Sequence, residues 1–251
     1  DLVTGVQTCA LPILDEKELK RILLKQLGIS FPITAISKAK KNTGNAQHEL
    51  LQWLTKKESN KKVDKDVQYD GELFVLNEKG NLYTSQKKYA DAAKAWEKGV
   101  EKDPRYYINY YNLAKVYFFT KKYFWAIYYG ETFVNMESYS AKSQEVKKIM
   151  FESYKFFMGE LNNVALEGKT NRYENPKDFE TAVLKTFDNL RNVVTGGINI
   201  DNLIMLRTRF LLDWNKNYAL KYPSELFDHQ QRLLMSGYFD TYNQWLFGRL
   251  D

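Results

Sequence analysis

The middle of the sequence repeats at an interval of 34 residues, and this period constrains the fold more than any other feature. The tripeptide Lys-Lys-Tyr occurs at 87–89 and again at 121–123. Small and aromatic residues recur at the same interval: Gly80 with Ala114, Tyr83 with Tyr117, and Ala92 with Ala126. A repeat of this length indicates an array of similar supersecondary units that bury their apolar faces against one another.

Each unit has the pattern of two helices. The segment from Ala90 onwards places Ala92, Trp96 and Val100 on one helical stripe, and Pro104 ends it. Small residues let two helices approach closely, while large aromatic residues fill the space between them. A single pair leaves one apolar face uncovered, so successive pairs must stack. We therefore expect an all-α solenoid of antiparallel helix pairs.

These residues resemble the tetratricopeptide repeat (TPR) family, whose unit has the same length and a similar order of small and aromatic residues. Unit 73–106 carries Leu76, Gly80, Tyr83, Ala92, Trp96 and Pro104, and departs from the family pattern at Lys79. Unit 107–140 carries Tyr110, Leu113, Ala114, Tyr117 and Ala126. It departs from the pattern at Ser138 and at Gly130, a glycine that could serve either tight packing or a ligand.

Three further regions surround these two units. Residues 141–194 form a stretched third unit around Phe151, Phe179 and Ala182, with an insertion at 158–176. Residues 199–251 are expected to form a closing pair of helices, the second of which begins at Pro223-Ser224 and continues through Gly237. Residues 14–70 form an N-terminal helical segment that ends in a charged linker at 58–71.

The first thirteen residues do not resemble a natural leader. Reverse translation of Val3 to Ile13 is compatible with a common short-read sequencing adapter, so we interpret Asp1 to Ile13 as an artefact. The chain's single cysteine, Cys9, lies in this segment. We therefore expect both natural termini to lie outside the sequence. Abundant residues with A/T-rich codons indicate a bacterial source, and the lack of other cysteines favours the cell envelope over the cytoplasm.

The sequence lacks the residue patterns of common catalytic and metal sites. His48 and His229 are the only histidines, and they lack the spacing of a zinc site. No phosphate-binding glycine loop and no serine elbow occurs. The net charge is +6, but the lysines are scattered among acidic residues, so we expect no nucleic-acid partner. No apolar run is long enough to span a membrane. We expect no catalytic residue, no metal and no cofactor.

The resemblance to the TPR family implies a binding surface on the first helices of the units, which form the concave wall. Matching positions of this chain are Phe74, Asn77, Asn81, Ile108, Tyr111, Asn112, Lys115, Phe118 and Phe119. Asn112 and Lys115 could hold a peptide backbone or a carboxylate. The family's carboxylate clamp is incomplete, because Asn77 and Glu78 stand where Lys and Asn are usual. Phe118 and Phe119 could equally belong to the core between repeats.

The resemblance therefore favours a non-catalytic scaffold that binds a peptide or a partner protein. One alternative is the docking portion of a larger enzyme or regulatory protein whose catalytic part is missing from this sequence. Another is a protein that binds nucleic acid or an envelope polymer through its aromatic and lysine-rich faces. An open groove lined by Tyr111, Asn112 and Lys115 would favour the scaffold, whereas a deep polar cleft in the C-terminal helices would favour the enzyme.

Overall fold

A computed structural model describes residues 65–166 and 173–250, with side chains from residue 75 onwards. These residues form nine α-helices and one 3-10 helix, and no strand occurs among them. The expected all-helical fold is confirmed. The helices are α1 (Lys65–Ser85), α2 (Tyr89–Lys102), α3 (Tyr107–Phe119), α4 (Tyr123–Met136), α5 (Ala141–Leu166), α6 (Phe179–Asp188), α7 (Ile200–Asn217), α8 (Glu225–Met235) and α9 (Phe239–Phe247), and the 3-10 helix is Arg191–Val194.

Several expectations fall on other parts of the chain. The artefact at 1–13, most of the N-terminal segment at 14–70, and His48 lie outside the described residues. The charged linker expected at 58–71 is helical from Lys65 onwards, where α1 begins. The described residues form two compact units, unit 1 up to Asn109 and unit 2 from Tyr110 onwards.

Unit 1 is built on the packing of α1 against α2. Gly80 of α1 lies against Trp96 of α2 so closely that an added Cβ would overlap the indole ring. The indole Nε1 donates a hydrogen bond to the backbone oxygen of Asn77, over 3.2 Å. The pairing of a small residue with a large one, expected from the sequence, is confirmed at this contact.

A similar close approach joins α4 and α5 in unit 2. A Cβ added at Gly130 would lie 2.9 Å from Met150 Cγ and 3.1 Å from Val146 Cγ1. Both of these side chains are fully buried. Gly130 therefore serves tight helix packing, which explains why this unit lacks the aromatic residue usual at that position.

Three helix pairs share one turn geometry. In each of the three turns between paired helices, one residue has a positive φ: 60° at Lys87, 61° at Lys121 and 75° at Gly237. The next amide donates to a carbonyl five residues back, in Lys88 to Tyr83 (2.9 Å), Lys122 to Tyr117 (2.8 Å) and Tyr238 to Leu233 (2.9 Å). This left-handed turn satisfies the last carbonyls of a helix and stops it. The pair α8–α9 is thus a hairpin of the same kind as α1–α2 and α3–α4.

The turn at Gly237 corrects the expectation for the C-terminal region. Residues 199–251 were expected to form two helices but form three, α7, α8 and α9, because Gly237 ends the helix that was expected to continue through it.

The third unit also differs from expectation. The insertion at 158–176 begins as helix, since α5 continues to Leu166, and α6 starts after a capping box formed by Asp178 and Thr181.

Candidate functional site

Helices α3 and α5 of unit 2 lie side by side, and their side chains form the candidate binding surface. Near one end, the Tyr111 hydroxyl of α3 donates a 2.6 Å hydrogen bond to Glu145 Oε2 of α5. Further along, the ring of Phe118 lies 6.3 Å from the ring of Phe156. These are the first helices of the expected second and third repeats, and in a stacked array first helices form one continuous surface.

Three phenylalanines, here called the aromatic face, lie at or beside the C-terminal end of α3. They are Phe118 and its sequence neighbour Phe119 in α3, and Phe156 of α5, whose ring lies near that of Phe118. The exposed fractions of Phe119 and Phe156 are 52% and 47%, and Phe118 is half-buried. Phe156 is held in place by stacking on Tyr123, with 5.2 Å between the ring centroids. Large aromatic side chains grouped on a surface are typical of interaction sites.

A charged cluster of Tyr111, Lys115, Lys142 and Glu145 lies one to two turns away along α3. Lys115 Nζ is 2.8 Å from Glu145 Oε1 and donates to the Tyr111 hydroxyl over 3.0 Å. The Lys142 ammonium lies 5.2 Å from the centroid of the Tyr111 ring. The Glu145 carboxylate is therefore bound by one cation, Lys115, and one phenol, Tyr111, and Lys142 adds a second positive charge nearby.

The pKa values in the charged cluster reflect this arrangement. Partial burial raises the pKa of Glu145, but hydrogen bonds from Lys115 and Tyr111, with the nearby charges of Lys115 and Lys142, bring it below its usual value. Partial burial lowers the pKa of Lys115, but Glu145 and Tyr111 more than reverse this, and the net direction is upward. Both groups are held in their charged forms.

The predicted binding residues of unit 1 belong to a different environment. Asn77 is buried, and its side-chain amide donates to Asn109 Oδ1 (3.2 Å) and accepts from Asn81 Nδ2 (3.3 Å). Asn81 also donates to Glu78, whose pKa is raised by burial and partly lowered by that bond. Asn77 is thus part of the packing of unit 1. Ile108 is half-buried, and the side chain of Phe74 lies outside the described residues.

The predicted residues of unit 2 fall into two groups. Phe118 and Phe119 lie on the aromatic face, while Tyr111 and Lys115 lie in the charged cluster and are bonded to Glu145. Asn112, which lies between Tyr111 and Lys115 in the sequence, is half-buried. Six of the predicted residues, Ile108 included, therefore lie on α3, but Lys115 already pairs with an internal carboxylate. Sequence reasoning missed Glu145, which follows Tyr111 by one repeat length.

A buried polar network in unit 2 was not anticipated from the sequence. Glu131 of α4 and Arg207 of α7 form a two-pronged ion pair, with Nη1 to Oε2 at 2.8 Å and Nη2 to Oε1 at 2.6 Å. Gln230 donates to Glu131 Oε1 over 2.7 Å, and the Tyr242 hydroxyl donates to the same atom over 2.8 Å. Arg207 also donates to the Tyr154 hydroxyl over 2.9 Å.

Burial and aromatic rings shape this network. The Arg207 guanidinium carbon lies 5.4 Å from the Phe247 ring centroid and 5.6 Å from that of Phe239, within the range of cation–π attraction. Burial raises the pKa of Tyr154 to about 12 and also raises that of Tyr242 well above its usual value. An adjoining cavity of about 20 Å³ holds no more than a water-sized molecule. The network ties α4 to α5, α7, α8 and α9.

No protein-family model, no curated protein and no solved structure matches this chain. Within residues 65–166 and 173–250, no group of three or more acidic, histidine or cysteine side chains is placed to hold a metal ion. None of the helices in that part of the chain is long and apolar enough to cross a bilayer.

Proposed function

We propose that this protein is a non-catalytic interaction scaffold of the TPR type, and that its aromatic face binds an apolar segment of a partner protein. The helix pairs, their 34-residue spacing and their shared turn geometry support a repeat array. A protein of this architecture acts by presenting one surface of its first helices to a ligand.

The observation that carries the proposal is the exposure of Phe119 and Phe156 on neighbouring first helices. Each phenylalanine keeps about half of its surface in water although the chain has an extensive apolar core. Full burial of an exposed phenylalanine is worth roughly 1.5–3 kcal/mol, and covering the exposed half of a ring contributes about half of that. An apolar partner segment would therefore gain affinity by covering both rings. Stacking on Tyr123 holds the Phe156 ring in one orientation, and this preorganisation lowers the entropic cost of binding a ligand.

The charged cluster disfavours a partner that binds through its C-terminal carboxylate. Because Lys115 is bonded to Glu145 and Tyr111, it has little to offer a terminal carboxylate of a ligand. Recognition therefore depends on apolar contact with the aromatic face, and we propose an internal apolar segment of the partner as the ligand.

A peptide-display selection tests this function. A random peptide library is selected on the whole protein, and the affinities of enriched peptides are measured by titration calorimetry. The double variant F119A/F156A should bind these peptides at least about tenfold more weakly, because truncating two central aromatic side chains typically removes more than about 1 kcal/mol each. The control L220A removes an equally apolar and fully exposed side chain in the α7–α8 connection and should bind normally.

Two results would contradict the proposed function. One is a selection that enriches no peptide on the wild-type protein. The other is a set of peptides that F119A/F156A binds as tightly as wild type while L220A does not. Circular dichroism spectra of all variants establish that the helices are intact.

A further inference from the structure

We propose that the charged cluster is a carboxylate-binding site that the protein's own Glu145 occupies, and that Glu145 thereby excludes acidic ligands from the neighbouring surface. The effect on partner choice rests on the proposed function. The existence of the site does not, because it follows from the positions of Tyr111 and Lys115 around the Glu145 carboxylate.

The donors of the cluster converge on one anion. Lys115 reaches Glu145 Oε1 at 2.8 Å and the Tyr111 hydroxyl reaches Oε2 at 2.6 Å, so both oxygens of the carboxylate are bound by different groups. The Lys115 ammonium lies 4.9 Å from the Tyr111 ring centroid and the Lys142 ammonium 5.2 Å from it. Without Glu145, the Lys115 ammonium and the Tyr111 hydroxyl would lose the carboxylate that both of them bind, while Lys142 would still lie beside the Tyr111 ring.

The internal carboxylate is placed where solvent can reach it. The side chains of Lys115 and Glu145 are 40% and 43% exposed. Ion pairs at such exposure are weak, because water competes for both partners. An external carboxylate can therefore compete with Glu145 for the same donors, and removal of Glu145 should leave the fold intact. Glu145 acts as an internal competitor whose strength sets the affinity for acidic ligands.

The same helix supplies a matched control. Glu152 pairs with Lys155 over 2.9 Å, with side-chain exposures of 42% and 40%. Substitution of Glu152 removes one negative charge from α5 at a side chain whose exposure nearly equals that of Glu145. Unlike Glu145, Glu152 has no contact with the Tyr111 hydroxyl, which already donates to Glu145. E152A therefore reports the effect of charge alone.

The experiment measures acetate binding by NMR at constant ionic strength, with chloride as the balancing anion. Acetate is used because it carries a carboxylate and no side chain that could use the aromatic face. The signals of the Tyr111 ring and the Lys115 side chain are followed in the wild type, E145A and E152A. E145A should bind acetate at least about fivefold more tightly than the wild type, a factor typical of coupling between competing groups. E152A should match the wild type.

Further variants separate the possible outcomes. Adding K115M to E145A should abolish the gain, because the main cation is lost, and E145Q serves if E145A does not fold. The proposal is overturned if E145A binds acetate no more tightly than wild type, or if E152A gains as much as E145A. Because acetate does not use Phe119 or Phe156, failure here is separate from failure of the F119A/F156A test.

Discussion

At the residue scale, the Glu131 carboxylate links α4 to α7, α8 and α9 through hydrogen bonds from Arg207, Gln230 and Tyr242. Glu131 and Arg207 are 1% and 3% exposed in their side chains. A buried ion pair gains little over apolar packing, but the loss of one partner leaves an unpaired charge in the core. This pair therefore matters most for how the C-terminal helices are fixed to α4.

Removal of the Glu131 carboxylate should be strongly destabilising. E131A should lower the free energy of unfolding by about 3–5 kcal/mol, because the Arg207 guanidinium stays buried without its partner. Urea denaturation followed by circular dichroism measures the change. The exposed-pair variant E152A should change stability by less than about 1 kcal/mol. A loss in E131A no larger than in E152A would disprove this role of the pair.

Stability at alkaline pH should depend on Tyr154. Burial raises the pKa of this phenol to about 12 in the folded state, whereas the pKa of a tyrosine in the unfolded chain is about 10. The neutral, buried Tyr154 phenol therefore contributes fully to the free energy of unfolding below about pH 10. As the pH rises towards 12, this contribution is lost by about 1.4 kcal/mol per pH unit, because the unfolded state ionises first. Urea midpoints measured across this range should fall less steeply in Y154F than in wild type. The exposed control Y139F should keep the wild-type slope, and equal slopes in Y154F and wild type would contradict the account.

At the element scale, the shared turn defines where three helices end. Gly237 adopts a φ of 75°, a conformation that costs a residue with a Cβ roughly 1 kcal/mol or more. Lys87 and Lys121 adopt φ values of 60° and 61° at the equivalent positions, so this strain is tolerated there. The identity of the turn is set by its hydrogen bonds, and the residue type only modifies its stability.

Substitution of Gly237 should therefore cost stability without a steric clash. G237A should lower the free energy of unfolding by about 1 kcal/mol, because alanine disfavours the left-handed conformation. Gly196 is the matched control, since an added Cβ also meets nothing within 4 Å there and its φ is not in the left-handed region. G196A should be neutral or slightly stabilising. Equal thermal unfolding midpoints for both variants would show that the turn geometry is not what Gly237 provides.

The sequence predicted the elements that have local signals. The helix pairs α1–α2 and α3–α4 follow from a 34-residue period and from Pro104, and the close contact of Gly80 with Trp96 follows from the pairing of small and large residues. The break at Gly237 was missed because Leu233, Gly237 and Thr241 continue at helical spacing, which hid the glycine's role as a helix stop.

Contacts between distant residues were beyond sequence reasoning. Glu131 and Arg207 are 76 positions apart, and each lies among apolar residues with no motif to pair them. The repeat did predict that Tyr111, Lys115, Phe118 and Phe119 share one helix, and they lie together on α3. Glu145 could have been found by applying the same period to Tyr111.

At the scale of the whole molecule, unit 2 combines a buried framework with partly exposed side chains on α3 and α5. In unit 2 the framework is held by the Glu131 network and by the packing of α4 on α5. The partly exposed side chains of α3 and α5 form the aromatic face and the charged cluster, which we propose as the binding surface. Such a division is typical of repeat scaffolds, in which binding surfaces vary on a constant helical core.

The most direct test of the scaffold is to map where a display-selected peptide contacts the protein, by backbone chemical-shift perturbation in NMR spectra of the intact chain. The account predicts that the largest perturbations fall on the residues of the aromatic face, Phe118, Phe119 and Phe156, and fade towards the exposed Leu220. Perturbations confined to α7, α8 and α9, with the aromatic face unchanged, would contradict the claim that this surface binds the partner.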